Sequence, residues 1–341
     1  MQKLIIFSTI GAILLITCFF VLNQNKEELI IFHAGSLTKP FDDLEKEFEK
    51  RNNIDVKREI AGSIATIRKI TELGKKADII ASADYTLIED MMYPEYANFC
   101  IKFAKNKIVI AYTNKSAYKD EINEKNWYKI LKRDGIRFGF SNPNDDPCGY
   151  RSLMVIQLAE IYYKNDKIFD ELIEKNSGIK SMERNGKFII EVPPTAELNI
   201  NTDKIAMRSA EIDLMATLET GDIDYLFIYR SIAYQHRYSG VYFIELPEEI
   251  DLSNPSFIDI YSKVVVNFST GKIIEAKPII YGITIPLNAQ NKDNAINFLI
   301  LLLNETGQKI FEGNGQIPIV PAICDNIENL PIQLRKYVVE K

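Results

Sequence analysis

Short apolar runs alternate along the chain with segments whose apolar residues recur every three or four positions. The short runs, which are typical of buried strands, are residues 29–32, 79–82, 108–112, 137–140, 225–229 and 283–285. The segments with helical spacing are residues 41–48, 64–73, 152–163 and 293–303. This alternation favours an α/β fold with largely parallel sheets. Residues 176–204, which contain two adjacent prolines, are predicted to form a long irregular loop.

The apolar run of residues 4–22 does not fit this alternation, because it carries no charge and is about as long as a membrane-spanning helix. Residues 1–25 are therefore expected to be a cleaved signal peptide, a lipoprotein signal ending near Cys18, or a membrane anchor. A buried helix of a cytoplasmic protein is a further interpretation. The first three interpretations place the rest of the chain at the extracytoplasmic face of the cell membrane, anchored or secreted.

Four turns that follow predicted strands and begin predicted helices share an unusual composition. Their small or acidic residues are Gly35-Ser36, Gly62-Ser63, Asp146-Pro147 and Ala210-Glu211. A helix start leaves backbone N–H groups unpaired and carries partial positive charge, which suits it to bind an anion. In open α/β sheets, ligands also bind at the carboxyl ends of the strands. The turns therefore indicate an anion site, but each is also compatible with simple capping, since Ser, Gly and Asp are favoured caps.

Asp146 and Glu211 are unexpected in a site for an ordinary oxyanion. A carboxylate about 4 Å from an anionic charge is repelled by about 4 kcal/mol at an effective dielectric constant of about 20. Either the two acids face away from the ligand as caps, or the ligand contains a hard, high-valent metal centre that accepts carboxylate oxygen as an additional ligand. In the second case the acids would select against the common tetrahedral anions.

Composition restricts the function further. The 341 residues are 46% hydrophobic and 26% charged, which suits a soluble globular protein of about two domains. The net charge of −6 provides no global basic field, so nucleic acid is not an expected partner. Two histidines and the lack of a G-x-S-x-G motif disfavour a histidine-dependent catalytic triad. Cys100, Cys148 and Cys324 match no zinc-binding spacing, but a bridge between Cys100 and Cys324 is possible in an oxidising compartment.

Six segments stand out in order along residues 29–320. They are FHAGSL, the second AGS, ADIIASAD, SNPNDDPCGYRS, DYLFIYRSIAYQH and YGITIPLNAQNKDNAINFLILLLNETGQKIF. Together they resemble the archaeal tungstate/molybdate-binding proteins of ABC importers. The resemblance implies a two-lobed type II periplasmic-binding fold with a ligand cleft between the lobes. It further implies that residues 26–110 and 230–341 form one lobe and that residues 111–229 form the other.

The resemblance also implies roles for individual residues. Ser36 and Ser63, with nearby backbone N–H groups, would donate hydrogen bonds to the anion. Asp146 and Glu211 would complete a roughly octahedral shell around its tungsten or molybdenum, and Tyr229 would donate from the hinge side. The remaining expected ligand-binding positions are Gly35, Asn144 and Asp145.

Some neighbouring residues compete for these roles. Asp213 and Glu219 lie close to Glu211 in sequence, although Glu211 is favoured because it falls in the first turn of its helix. The other residues with two interpretations, as ligand contacts or as structural partners, are His33, Arg151 and Arg230.

These expectations predict a monomeric extracytoplasmic receptor that uses no cofactor and is not an enzyme. It would capture tungstate or molybdate and deliver it to an importer permease with its ATPase subunit, while its N-terminus attaches it to the membrane. One alternative has the same fold but binds another oxyanion, such as sulfate or phosphate. A further alternative is an exported enzyme on the same scaffold.

Overall fold

The computed structural model describes residues 27–340, in which helices and strands alternate as the hydrophobic pattern predicts. The strands are β1 (Glu27–Ala34), β2 (Ile54–Ala61), β3 (Ile79–Ser82), β4 (Ile101–Lys105), β5 (Ile108–Thr113), β6 (Phe138–Gly139), β7 (Lys180–Arg184), β8 (Lys187–Val192), β9 (Ile205–Ala206), β10 (Tyr225–Tyr229), β11 (Val241–Glu245), β12 (Val264–Phe268), β13 (Ile273–Glu275), β14 (Ile280–Thr284), β15 (Ile317–Cys324) and β16 (Val338–Glu340). The α-helices are α1 (Thr38–Arg51), α2 (Ser63–Thr71), α3 (Tyr85–Met92), α4 (Trp127–Leu131), α5 (Pro147–Tyr163), α6 (Ile168–Leu172), α7 (Met215–Thr220), α8 (Arg230–Gln235), α9 (Ile258–Tyr261), α10 (Lys292–Leu303) and α11 (Glu305–Gly313). The 3₁₀ helices are Gly35–Leu37, Glu174–Asn176, Thr195–Glu197, Glu211–Leu214, Arg237–Ser239, Pro255–Phe257 and Ile332–Tyr337.

Three sheets organise these elements, and the predicted α/β class is confirmed. The sheet orders are β16-β15-β4-β14-β3-β1-β2, β11-β5-β10-β6-β9 and β13-β12-β8-β7. We call the seven-stranded sheet with its helices the first unit, and the five- and four-stranded sheets with theirs the second unit. The sheets are mixed rather than largely parallel, since β14 runs antiparallel to β3 and β4, and β5 runs antiparallel to β10 and β11. The pattern differs from the prediction because β5 and β14 enter their sheets directly from the other unit, without a βαβ crossover.

The chain crosses between the units twice, from β4 to β5 and from β13 to β14. The two crossings are adjacent, because the Asn106 N–H donates to the Ile279 carbonyl over 3.2 Å. The expected division assigned all of residues 230–341 to the first unit. In the structure β11 pairs with β5, and β12 pairs with β8, so residues 241–275 contribute to the sheets of the second unit. The return crossing therefore follows β13 instead of lying near Tyr229.

The prediction of a long loop at residues 176–204 is wrong, because this stretch contains the hairpin β7–β8. Asn185 and Gly186 form its two-residue turn with positive φ values of 52° and 76°, as a type I′ turn requires. Strand β8 then pairs in parallel with β12. Strand β7 is mostly exposed and lacks the clear apolar alternation by which a strand is recognised from sequence.

Two helices show how the apolar pattern builds the two units. Phe41, Leu44 and Phe48 lie on the buried face of α1, and Phe48 packs on Phe298 of α10 with ring centroids 5.3 Å apart. Helix α5 is buried on every side over residues 147–160, because it packs on β5 and β10 of one sheet and on β12 of the other. The residues just before α5, Asp145 and Asp146, lie against Gly62, which precedes α2 of the first unit.

Within residues 27–340, no helix has both the length and the apolar character needed to cross a membrane. The segment expected to be a signal or an anchor, residues 1–25, lies outside the described residues. Cys100, Cys148 and Cys324 are buried free thiols in the described part of the chain. The register of β4 and β15 pairs Cys324 with Ile101, so the side chains of Cys100 and Cys324 leave opposite faces of the sheet and do not form the bridge considered above.

Candidate ligand-binding site

The turn between β1 and α1 presents a buried hydroxyl group. Ser36 is buried, and its Oγ has no hydrogen-bond partner among residues 27–340, whereas its carbonyl accepts from Gln316 Nε2 over 2.9 Å. Gly35 faces the second unit, since a Cβ at this position would lie 3.5 Å from each carboxylate oxygen of Glu211. This turn therefore brings an unpaired hydroxyl next to a carboxylate of the other unit.

The turn between β2 and α2 supplies a second buried serine. Ser63 begins α2, and its Oγ accepts a hydrogen bond from the Ala83 N–H over 2.9 Å. Because a hydroxyl both accepts and donates, its O–H remains available for a ligand. Gly62 lies directly against the turn before α5, where a Cβ would come within 2.4 Å of the Asp145 carbonyl oxygen and 3.0 Å of the Asp146 Cβ.

The turn before α5 has the predicted cap. Asp146 is the N-cap and Pro147 the first helical residue; Asp146 Oδ1 accepts from the Cys148 N–H over 3.3 Å. Its other oxygen, Oδ2, accepts from the Glu211 N–H over 3.0 Å, so Asp146 also joins this turn to the fourth one. Asn144 donates to the Pro193 carbonyl over 3.0 Å, and Asp145 accepts from Asn142 over 2.7 Å. The side chains of Asn144 and Asp145 therefore stabilise the turn itself.

The fourth turn carries the most unusual group. Glu211 begins a 3₁₀ helix instead of the predicted α-helix, and only 1% of the residue is exposed. Both of its carboxylate oxygens lack a hydrogen-bond partner in the described part of the chain. Burial, followed by the charge of Asp146, raises the pKa of Glu211 well above its usual range, and the nearby Ser36 offsets part of the rise. Buried polar groups are almost always paired, so these oxygens indicate a missing binding partner.

The competing acids near Glu211 point elsewhere. Asp213 is exposed, and Glu219 contacts His236 Nδ1 over 2.7 Å. Among the three acids, only Glu211 is buried beside the other turns.

The remaining candidates have structural partners. Tyr229 accepts from Arg151 Nη1 over 2.7 Å, which leaves its O–H free to donate, and burial raises the pKa of its hydroxyl well above the usual range. Arg151 also donates to the Ala83 carbonyl over 2.6 Å. Arg230 pairs with Glu245 over 2.8 Å at an exposed position. Neither arginine is therefore a free anion partner.

His33 is a packed histidine. Its Nδ1–H donates to the Ala34 carbonyl over 2.8 Å, and its Nε2 accepts from Arg58 Nη1 over 3.2 Å. Its ring packs on Phe41 with centroids 5.0 Å apart. Because burial disfavours the charged form, the pKa of His33 falls to about 3. The histidine thus supports the turn at Gly35 as a neutral ring.

Tyr281 is a neighbour of the site that the sequence reasoning missed. Its hydroxyl accepts from Asn106 Nδ2 over 2.6 Å, at the first crossing between the units. Burial raises the pKa of this hydroxyl, while Ser36 lowers it and the charge of Glu211 raises it, so Tyr281 lies close to both residues. Nothing in the sequence around Tyr281 indicated this position. Tyr281 is far from Ser36 along the chain, and the pairing of β14 with β3 in the sheet brings the two residues together.

The four turns therefore meet between the two units. They contribute two buried carboxylates and two serine hydroxyls, each of which can still donate a hydrogen bond. Ser36, Ser63, Asp146 and Glu211 come together, and the backbone at Gly62 approaches the second unit closely enough to exclude a side chain. No group of three or more His, Cys, Asp or Glu side chains in residues 27–340 is arranged to hold a bare metal ion. The chemistry suits a compact anion that can accept hydrogen bonds on some sides and carboxylate oxygen on another.

Two solved structures share this fold. The periplasmic molybdate-binding protein of Azotobacter vinelandii matches with a TM-score of 0.59 at 15% identity, over 85% of this chain and 98% of that one. The sulfate-binding protein SubI of Mycobacterium tuberculosis matches with a TM-score of 0.59 at 12% identity, over 86% of this chain and 87% of that one. At these identities the likeness shows the two-lobed fold alone.

Sequence comparison gives the family. The molybdate/tungstate-binding protein WtpA of Pyrococcus abyssi is 46% identical over 324 residues, which cover 92% of this chain and 91% of the relative. The family described as bacterial extracellular solute-binding protein matches residues 29–316. The chain therefore belongs to the bacterial extracellular solute-binding protein family.

Proposed function

We propose that this protein binds tungstate or molybdate outside the cytoplasm and delivers it to the permease of an ATP-driven importer. The observation that carries the proposal is the buried Glu211 carboxylate, which has no partner in residues 27–340 and lies beside Asp146 where the four turns meet. The 46% identity to a molybdate/tungstate-binding protein over most of both chains supports the same ligand class.

The two carboxylates would favour tungstate and molybdate over sulfate and phosphate. Sulfate and phosphate offer only oxygen atoms to their surroundings, so each nearby carboxylate would repel them by about 4 kcal/mol at about 4 Å and an effective dielectric constant of about 20. A tungsten or molybdenum centre is hard and can expand its coordination shell, so Asp146 and Glu211 would become ligands instead of repelling groups. The unpaired oxygens of Glu211 are available for this role.

Hydrogen bonds supply the rest of the affinity. Ser36 and Ser63 each retain a hydroxyl proton for the anion, and Tyr229 can add a third. With two or three backbone N–H groups of the turns, five or six bonds of about 1.5–3 kcal/mol would contribute roughly 8–18 kcal/mol before the costs of binding. Nanomolar affinity requires about 12 kcal/mol, so tight binding is feasible without a basic residue in contact with the ligand.

The remaining features of the proposal follow from this role. We propose that the protein acts as a monomer, without a cofactor and without catalysis, and that its N-terminal segment keeps it at the cell membrane. The partners are an importer permease and its ATPase subunit. The first and second units would correspond to the two lobes, which close on the anion and reopen at the permease.

The test is isothermal titration of the full-length chain in detergent with tungstate, molybdate and sulfate in parallel. We expect tight binding of tungstate or molybdate and no signal with sulfate. Glu211→Gln should weaken binding at least tenfold, since it removes an anionic ligand without changing side-chain size. Asp213→Asn, in the same turn but exposed, is the matched control and should bind as the wild type does. Binding of sulfate instead would mean that the two acids are only caps and would refute the metal-coordination argument.

A further inference from the structure

A buried ion pair joins the two units immediately behind the candidate site. Arg151 lies on α5 of the second unit, whereas Asp84 follows β3 of the first unit. Arg151 Nη2 lies 3.1 Å from Asp84 Oδ2, and Arg151 Nη1 donates to the Ala83 carbonyl over 2.6 Å. The side chains of Arg151 and Asp84 are only 2% and 1% exposed, so both charges are almost completely removed from water.

A second contact reinforces the same junction. Tyr150, the neighbour of Arg151 on α5, donates its hydroxyl to Asp84 Oδ2 over 2.7 Å. Asp84 is itself held in place, since its Oδ1 accepts from the Thr86 N–H over 3.1 Å as the N-cap of α3. Two successive residues of the second unit therefore bind one rigidly mounted carboxylate of the first unit. We call Tyr150, Arg151, Ala83 and Asp84 the interlobe latch.

The latch is connected to the ligand-binding turns at both ends. On the first unit, the Ala83 carbonyl accepts from Arg151 while the Ala83 N–H donates to Ser63 Oγ. On the second unit, α5 carries Arg151 less than two turns after its N-cap, Asp146. The contact between Arg151 and Ala83 therefore holds the turn that contains Asp146 next to the turn that contains Ser63.

We propose that the interlobe latch holds the closed form of the protein and so determines how slowly a bound anion leaves. Arg151 acts as a positioning residue, because its hydrogen bonds go to the Ala83 carbonyl of the first unit and to Tyr229. When the units separate, Arg151 and Asp84 regain water; when they close, both must find each other in one geometry, because an uncompensated buried charge is strongly unfavourable. The part of this inference that concerns the anion rests on the proposed function.

The first measurement is the dissociation rate of tungstate or molybdate from Arg151→Met and Asp84→Asn in the full-length chain. Asn at position 84 retains an oxygen for the cap of α3. Each substitution should raise the dissociation rate roughly tenfold or more and leave the association rate within about twofold, since only the closed form is affected. The dissociation rate of the double variant should rise by less than the product of the two single increases, because the double variant leaves no unpaired buried charge. The matched control is Arg133→Met with Glu121→Gln, which removes an exposed ion pair inside the second unit. It should leave both the dissociation rate and the association rate as in the wild type.

The second measurement does not depend on the ligand. Hydrogen–deuterium exchange of the peptides containing Gly62 and Asp145, which face each other across the units, should be faster in both single variants than in the wild type. Unchanged dissociation and unchanged exchange in both single variants would overturn the latch. A wild-type protein that binds neither tungstate nor molybdate would refute the proposed function. Hydrogen–deuterium exchange alone would then test whether the interlobe latch holds the two units together. If a single variant does not fold, the double variant and Tyr150→Phe, which removes only the neutral donor, decide it by the same two measurements.

Discussion

A single methyl group at Gly62 should make it harder for the two units to close on each other. Gly62 caps α2 with φ of −59° and ψ of 146°, a conformation that alanine adopts without strain. A Cβ there would lie 2.4 Å from the Asp145 carbonyl oxygen and 3.0 Å from the Asp146 Cβ, and both atoms belong to the second unit. The substitution Gly62→Ala therefore disturbs only a conformation in which the two units are in contact.

The size of the effect follows from the overlap. Ordinary contact begins at 3.4 Å, so the Asp145 backbone would have to retreat by about 1 Å. Overpacking of this kind costs about 1–3 kcal/mol. Because about 1.4 kcal/mol corresponds to a factor of ten, the affinity for the anion should fall by roughly 5- to 150-fold.

Stability should change in the opposite direction. Replacing glycine by alanine at a compatible position restricts the unfolded chain and stabilises a protein by about 0.4–1 kcal/mol. If the units separate in the absence of ligand, the melting temperature of ligand-free Gly62→Ala should equal or exceed that of the wild type. Titration calorimetry and thermal unfolding of the same samples measure the two effects, and Gly313→Ala, with no atom within 4 Å of the added Cβ, is the control. Wild-type affinity in Gly62→Ala would refute the idea that these two turns close on each other around the ligand.

Three further predictions concern Ser36, His33 and the two cysteines Cys100 and Cys324. Ser36→Ala should weaken anion binding roughly tenfold or more without lowering ligand-free stability, because it removes a buried hydroxyl that has no hydrogen-bond partner among residues 27–340; equal affinity in titration would remove Ser36 from the site. His33 has a pKa of about 3 when folded and 6.5 when unfolded, so the stability that its neutral form contributes is complete above pH 6.5 and is lost as the pH falls. Between pH 7.5 and 5.5 the free energy of unfolding measured with denaturant should fall by about 1.4 kcal/mol more in the wild type than in His33→Gln, and parallel pH profiles would contradict this assignment. Cys100 and Cys324 should both react with a thiol reagent after denaturation without a reductant, whereas a protected pair would reveal the bridge that the strand register excludes.

Features that depend on a few neighbouring residues could be predicted from the sequence. The α5 start at Asp146-Pro147 is one example, because an N-cap carboxylate and a following proline act within a single turn. The buried face of α1 is another, since helical spacing alone puts its apolar residues on one side. The hairpin β7–β8 carried a readable local signal in Asn185-Gly186, but its exposed first strand obscured it.

Assignments that depend on distant partners could not be predicted in this way. Strand β11 belongs to the second unit because it pairs with β5, more than a hundred residues earlier in the chain, and nothing in its own residues indicates that partner. Local pattern states which side of a strand is apolar, but the choice of neighbouring strand is settled by packing across the whole sheet.

The candidate site also combines features encoded locally with features set by distant parts of the chain. The sequence alone determined that four strand-to-helix turns carry Ser36, Ser63, Asp146 and Glu211, because caps and turns are encoded locally. Only the tertiary structure decided that the oxygens of Glu211 are unpaired while Asp213 is exposed, and that Arg151 donates a hydrogen bond to the Ala83 carbonyl of the first unit. The physical reason is that burial and pairing of a charge depend on every element packed around it, and those elements come from distant parts of the chain.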